Sequence, residues 1–213
     1  MNENKKIFQF GFRWEFVLAL LLIILDQSTK VYFKGFNLLG IHHQGLVYGE
    51  QVPVIGTFLQ WTYIENAGMA FGIEFGWGKI FLSLFSVIAS LFLAYLIIRI
   101  RKSPLPVLIG FSLVFAGAVG NLIDRVFYGV IFGEGALFYG RVVDFIQVDI
   151  PDIRFLGWQY FPIFNVADSC VTVGVIILIL FHSQLPDFDK IIPWFNSKKT
   201  QKMMAEEINI ESE

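Results

Sequence analysis

The chain has 213 residues, 55% of them hydrophobic and 16% charged, against about 25% charged in an average soluble protein. Its net charge is −2 and its mean hydropathy +0.63. That composition excludes an ordinary soluble domain, the thinly spread basic residues argue against a nucleic-acid surface, and a single cysteine, Cys170, allows no internal disulfide.

A bilayer core of about 30 Å needs roughly 20 helical residues. Four stretches qualify: Trp14 to Phe33, Ile80 to Ile98, Leu105 to Ile123 and Ile163 to Phe181. The first follows a basic segment (Lys5, Lys6, Arg13) and is followed by Asp26 and Lys30 instead of a small-residue cleavage site, so it reads as a retained span. Lys and Arg placement sets the orientation. Ten of the sixteen fall in the amino-terminal segment, the link at Arg99, Arg101 and Lys102, and the carboxy-terminal tail with Lys190, Lys198, Lys199 and Lys202. Both termini are therefore expected in the cytoplasm and the two long loops outside.

Aromatic placement agrees, with Trp14 and Trp194 at the inner interface and Trp61, Trp77, Trp158 and Tyr160 at the outer one. In the first outer loop, VPVIGTFLQWTYI and then GMAFGIEFGWG predict short strands resting on the membrane surface. The second, residues 124–162, contains the Gly-punctuated FYGVIFGEGALFYG. Residues 1–195 are expected to form one membrane domain and 196–213 a polar cytoplasmic tail. No internal repeat is present.

With this orientation the polar residues of the membrane region gather at one end. Asp26 and Lys30 are four apart at the outer end of the first span and share a helix face. Asn121, Asp124 and Arg125 (GNLIDR) end the third, and Asn165 and Asp168 (FNVAD) lie in the outer turns of the fourth. Asn66 (ENAGMAFG) and Asp144 (GRVVDF) lie in the outer loops. Charge inside a bilayer is costly, so Asp168 marks a functional site by default. Each companion also has a plain structural role open to it: Asp26 with Lys30 as an ion pair, Asp124 with Arg125 as another, and the asparagines as turn caps.

Two aspartates in a low-dielectric site share one proton and titrate as a unit, the state an aspartic peptidase uses without metal or cofactor. Other chemistry is less well supplied. His42 and His43 lack further metal ligands at useful spacing, and His182 reads as interfacial. Cys170 has no histidine close by in sequence to activate it, and Ser28 with Lys30 is a minor nucleophile candidate. Ala116, Gly120, Cys170 and Gly174 suit close helix packing. Two rivals from other classes are a proton-coupled transporter, which the apolar inner halves of the spans disfavour, and a non-catalytic lipid-binding or assembly protein.

Five blocks carry a resemblance: DQSTK at 26–30, ENAGMAFG at 65–72, GAVGNLIDR at 117–125, GRVVDFI at 140–146 and FPIFNVADS at 161–169. In order and spacing they resemble the bacterial lipoprotein signal peptidases (signal peptidase II) across about residues 14–182. The resemblance implies a mainly α membrane protein with four transmembrane helices and a small extracytoplasmic β-rich cradle. It implies an aspartic endopeptidase of the bacterial inner membrane that cuts diacylglyceryl-modified prolipoproteins just before the lipidated cysteine. It places catalysis on Asp144 and Asp168, and substrate binding or support on Asp26, Lys30, Asn66, Gly68, Asn121, Asp124, Arg125 and Asn165. Implied partners are the lipidated substrate, the bilayer and globomycin-type inhibitors; a monomer is expected, with no nucleic acid, metal or cofactor. Val126 to Tyr139 and the stretch around HHQGLVYGEQVP are longer than in the usual pattern.

Overall fold

A computed structural model describes residues 13–38, 40–68, 76–149 and 161–187. The first helix, α1 (Trp14–Lys34), ends at Gly35, whose positive φ of 84° turns the chain out of the helix. Two hairpins follow: β1 (Phe36–Leu38) with β2 (Ile41–His43), and β3 (Gln51–Ile55) with β4 (Leu59–Asn66). Helix α2 (Gly76–Arg99) and helix α3 (Leu105–Ile123) come next. Pro106 lies in the first turn of α3, where its missing N–H loses no helical bond. The helix does not stop at Asp124. It runs on through a π-turn (Asp124–Tyr128) into the short α4 (Gly129–Ile131). Strand β5 (Val142–Val148) and helix α5 (Val166–Leu180) complete the fold.

Helix α3 is central, packing against α1, α2 and α5. Its contact with α5 needs small residues. A Cβ on Gly117 would come within 2.3 Å of the Ala167 carbonyl oxygen, and Gly110 and Gly174 meet farther along. Strand β4 lies between β3 and β5 in one antiparallel sheet. Its register sets Ile64 opposite Asp144 and Glu65 opposite Val143. Alternation along the strands therefore puts Glu65 and Asp144 on opposite faces. Phe33, Tyr63, Tyr128, Val143 and Phe145 form the core that fixes the sheet to the bundle, with Phe33 stacked on Phe145 at 4.3 Å.

Among the described residues three helices can cross a membrane by length and composition: Trp14–Lys34, Gly78–Arg99 and Leu105–Ile131. Leu20, Leu21, Ile24 and Leu25 of α1 and Phe81, Phe85 and Ile88 of α2 remain exposed, as lipid-facing surface requires. The protein is a multi-pass membrane protein with small sheets at one end of its bundle.

Several expectations change. The fourth apolar segment becomes helical only at Val166, giving 15 residues, because Phe164 exchanges backbone hydrogen bonds with Ile146 and Asn165 caps the helix. The second long loop begins after Ile131 and not at residue 124. Gly129, in α4, is a packing glycine, with no room for a Cβ beside Ala136 O at 2.8 Å. Asp144 belongs to a strand, and Gly76 to Gly78 open α2 instead of ending a strand. Strands do form over 51–55 and 59–66, as the loop pattern predicts. Lys5, Lys6, residues 69–75, Trp158, Tyr160, Trp194, the four tail lysines and the 196–213 tail lie outside the described residues, as does the Trp77 side chain.

Candidate active site

Asp168 is the third residue of α5, and a reciprocal cap fixes it there. Its backbone N–H donates to Asn165 Oδ1 at 2.9 Å, and its Oδ2 accepts the Asn165 backbone N–H at 3.2 Å. The unpaired N–H groups and partial positive charge of the helix N-terminus thus surround this carboxylate. Asp144 projects from β5 and is 2% exposed. Its Oδ1 accepts Asn165 Nδ2 at 2.7 Å. One residue, Asn165, therefore touches both aspartates and sets their spacing.

The asparagine amides have determined orientations. Lys30 Nζ donates to Asn121 Oδ1 at 2.9 Å, and Asn165 Nδ2 also reaches that oxygen at 3.1 Å. Asn121 must then turn its Nδ2 to Asp168 Oδ1, at 2.8 Å. Asn66 takes the Gly68 backbone N–H on its Oδ1 and hydrogen-bonds Asp144 with its side chain. Gly68 has a φ of 77°, a region that favours glycine. Arg125 donates to Asn121 O at 3.3 Å and lies close enough to feel Asp124, Asp168 and Asp144.

Beneath the pair lies a buried bracket. Lys30 is completely enclosed and spends its three N–H donors on Asp26 (2.9 Å), Asp124 (2.8 Å) and Asn121. Each of its carboxylate partners holds one backbone amide. Asp26 Oδ1 accepts Ala167 N–H at 2.8 Å, and Asp124 Oδ2 accepts Val143 N–H at 3.2 Å. Ala167 immediately precedes Asp168, and Val143 immediately precedes Asp144. One ammonium thus connects, through two carboxylates, the chain segments that carry both aspartates. Gln27 braces the same pair, donating to Asp26, Asp124 and Gly120 O and accepting from Tyr128 OH at 3.1 Å.

Burial, followed by the Asp168 carboxylate, pushes Asp144 from its ordinary 3.8 up to about 7; hydrogen bonds from Asn165 and Asn66 and the Lys30 charge oppose this. A carboxyl that is protonated near neutrality can donate a proton, and an adjacent carboxylate can accept one.

All ten residues singled out from the sequence lie in or against this cluster. Gln27, Tyr128 and the amides of Val143 and Ala167 were not anticipated. Gln27 had one visible signal, its place beside Asp26 on a face aimed at GNLIDR. Among the described residues no cluster of three or more potential metal ligands occurs. His43 stacks on Tyr32 at 4.5 Å, and among the described residues neither Ser28 nor Cys170 hydrogen-bonds either aspartate. A second polar group occupies the other face of the sheet. Lys34 pairs with Glu65 and Glu134, and Glu65 also accepts Tyr63 OH. Burial would raise Glu65, but hydrogen bonds from Lys34 and Tyr63 hold it below its ordinary value. Burial, then Glu65, pushes the Tyr63 hydroxyl up, so it stays a donor.

The family model described as signal peptidase (SPase) II matches residues 18–184. The chain belongs to the signal peptidase II family. Those enzymes are aspartic peptidases, and this chain is one of them. A lipoprotein signal peptidase of Porphyromonas gingivalis is 36% identical over 208 residues, covering 83% of this chain and 87% of the relative. One from Chlorobium phaeobacteroides is 39% identical over 177 residues, covering 82% and 93%. A solved bacterial membrane enzyme superposes with a TM-score of 0.60 at 33% identity, covering 82% of this chain and 94% of its own.

Proposed function

We propose that this signal peptidase II removes signal peptides from diacylglyceryl-modified prolipoproteins, cutting just before the lipidated cysteine, with Asp144 and Asp168 as its catalytic pair. In this reading Asp144 holds the shared proton at rest and Asp168 is the base. Asp168 takes a proton from water as the water oxygen attacks the scissile carbonyl carbon. Asp144 gives its proton to the carbonyl oxygen, forming a tetrahedral diol. As the C–N bond breaks, Asp168 passes its proton to the leaving cysteine nitrogen, and Asp144 recovers one from the diol hydroxyl. The result is one acid, one amine and a regenerated pair, with no metal or cofactor in any step. Asn66, Gly68, Asn121, Arg125 and Asn165 orient the pair and the substrate backbone, and Asp26, Lys30 and Asp124 hold the scaffold beneath.

The observation that carries this reading is the bridging of the two aspartates by Asn165 on separately anchored segments. In the same reading α5 serves as a fourth span, the sheets form an extracytoplasmic cradle, both termini are cytoplasmic, and the site opens at the outer face of the bacterial inner membrane. A monomer suffices, and globomycin-type inhibitors would compete for the same groove. The test is cleavage of a diacylated prolipoprotein by purified protein with chelator present. Asp144→Asn and Asp168→Asn should each lower turnover by about 10²–10⁴-fold while the fold survives. Near-normal turnover of either variant would remove that aspartate from the mechanism.

A further inference from the structure

On the face of the sheet away from Asp144 lies a cleft of about 570 Å³ that the peptidase reading does not use. Glu65 of β4, Lys79 of α2, and Glu134, Tyr139 and Arg141 of the segment joining α4 to β5 line it, over a floor that includes Gly129, Gly135 and Gly140. Its size is ordinary for a small-molecule site, of roughly 300–1,000 Å³. Its position is informative. Lys34 ends α1, Lys79 lies in the first turn of α2, and Gly129 is in the last turns of the α3 extension. The cleft therefore lies at the shared end of three helices long and apolar enough to cross a membrane, the end that would meet lipid headgroups.

Its charges come in two signs. Lys34 is satisfied, since its ammonium bonds Glu65 and Glu134 and lies 4.7 Å from the Phe132 ring. Arg141 is half exposed and reaches Glu65 only at 3.7 Å, beyond hydrogen-bond distance, so its guanidinium keeps N–H donors for a phosphate oxyanion. Lys79 supplies a second cation. Glu134 is half exposed and gives Oε1 to Lys34, which leaves Oε2 for a ligand cation. Two cations and one carboxylate oxygen around a glycine floor suit a small zwitterion carrying a phosphate and a primary ammonium. Val130 and Ile131, next to Gly129 of the cleft, are 54% and 65% exposed, so acyl chains hanging from such a headgroup would meet apolar side chains.

We propose that this cleft binds an aminoalkyl phospholipid of the phosphatidylethanolamine type, with the phosphate on Arg141 and Lys79 and the ammonium on Glu134. The site is separate from the aspartate pair, and the lipid bound there is not the substrate. Ligand engagement would tie the segment 132–141 to α2, reinforcing the contact in which Ser83 Oγ donates to Phe138 O at 3.1 Å.

Native mass spectrometry of the delipidated full chain, titrated with palmitoyl-oleoyl phosphatidylethanolamine, palmitoyl-oleoyl phosphatidylglycerol or soluble phosphoethanolamine, tests this. The wild type should retain one phosphatidylethanolamine at concentrations where phosphatidylglycerol dissociates. Lys79→Gln with Arg141→Gln should weaken retention of the first lipid at least about tenfold, as loss of two charge-assisted contacts requires. Glu134→Gln should erase the preference between the two lipids, and because it keeps both cations it stands as a separate check. Equal retention by wild type and the double variant, or equal retention of both lipids by wild type, would overturn the proposal. Displacement of the lipid by equimolar soluble phosphoethanolamine would overturn the membrane source.

Discussion

Replacing Lys30 with methionine keeps the side chain's length and apolar stem and removes one charge. In the wild type that charge is enclosed with Asp26 and Asp124, at 1% and 0% exposure. The variant leaves two buried carboxylates 141 and 19 residues away in sequence from the amides they hold, with no cation between them. Removing one partner of a buried ion pair costs about 3–5 kcal/mol, so thermal or denaturant unfolding in micelles should show a loss of that order. The effect on activity should be larger than instability explains. Asn121 loses the donor that fixes its amide, so its Nδ2 is no longer held on Asp168, and the Asp26 and Asp124 carboxylates repel each other, pulling apart the segments that carry Asp168 and Asp144. A displacement near 1 Å costs about 10²-fold in turnover, and kcat should fall by at least that much in the folded fraction. Lys30→Arg should not restore it, because a planar guanidinium cannot reach three oxygens arranged around a point charge. A folded Lys30→Met protein that cleaves substrate within twofold of wild type would refute the bracket as the device that spaces the aspartates.

With Asp144 raised to about 7, its proton is present below that pH and lost above it, so cleavage should fall about tenfold per pH unit on the alkaline side of 7. The same shift makes folding stability greatest below the ordinary 3.8 and declining as pH rises through about 7, and Asp144→Asn should flatten that slope. Gly120→Ala puts a Cβ 2.6 Å from Asp26 Oδ2, and should reduce activity while Gly133→Ala, where a Cβ has open space, serves as a comparison with only backbone strain at stake. Reporter fusions after Lys102 and after residue 150 should report opposite sides of the membrane; the same side for both would remove the proposed topology.

Much of this site was legible in one dimension because helix geometry is local. Asp26 with Lys30, and Asn165 with Asp168, are read directly from spacings of four and three residues, and the structure keeps both pairs. The third span's start at Leu105 also matches the observed helix, whereas its end at Ile123 does not, since the helical run continues to Ile131. What could not be read depends on contacts between distant segments. Nothing in the sequence says that Asp26 will hold the amide of Ala167, since that bond exists only once Gly117 and Gly120 have let α3 approach its neighbours. The helical run through Asp124 to Ile131 was hidden because Gly129 reads as punctuation, whereas it is a close approach to Ala136. The late start of α5 reflects a bridge from Phe164 to Ile146, a pairing between segments with no pattern of their own. Lys34 at the end of α1 pairs with Glu65 and Glu134, which lie 31 and 100 residues away, a contact that no local spacing announces.

In the proposed function, a lipid anchor presents the scissile bond to Asp144 and Asp168 at the membrane edge. This is tested by comparing matched lipidated and unlipidated precursors in the same micelles, with the product's new amino terminus read by mass spectrometry. Alkyl burial contributes about 0.8 kcal/mol per methylene to anchoring, so the lipid supplies binding that an unmodified peptide lacks. The lipidated precursor should be cleaved fast, immediately before its modified cysteine, and the unlipidated one far more slowly. Equal rates for the two precursors, or cleavage at a different bond, would contradict it.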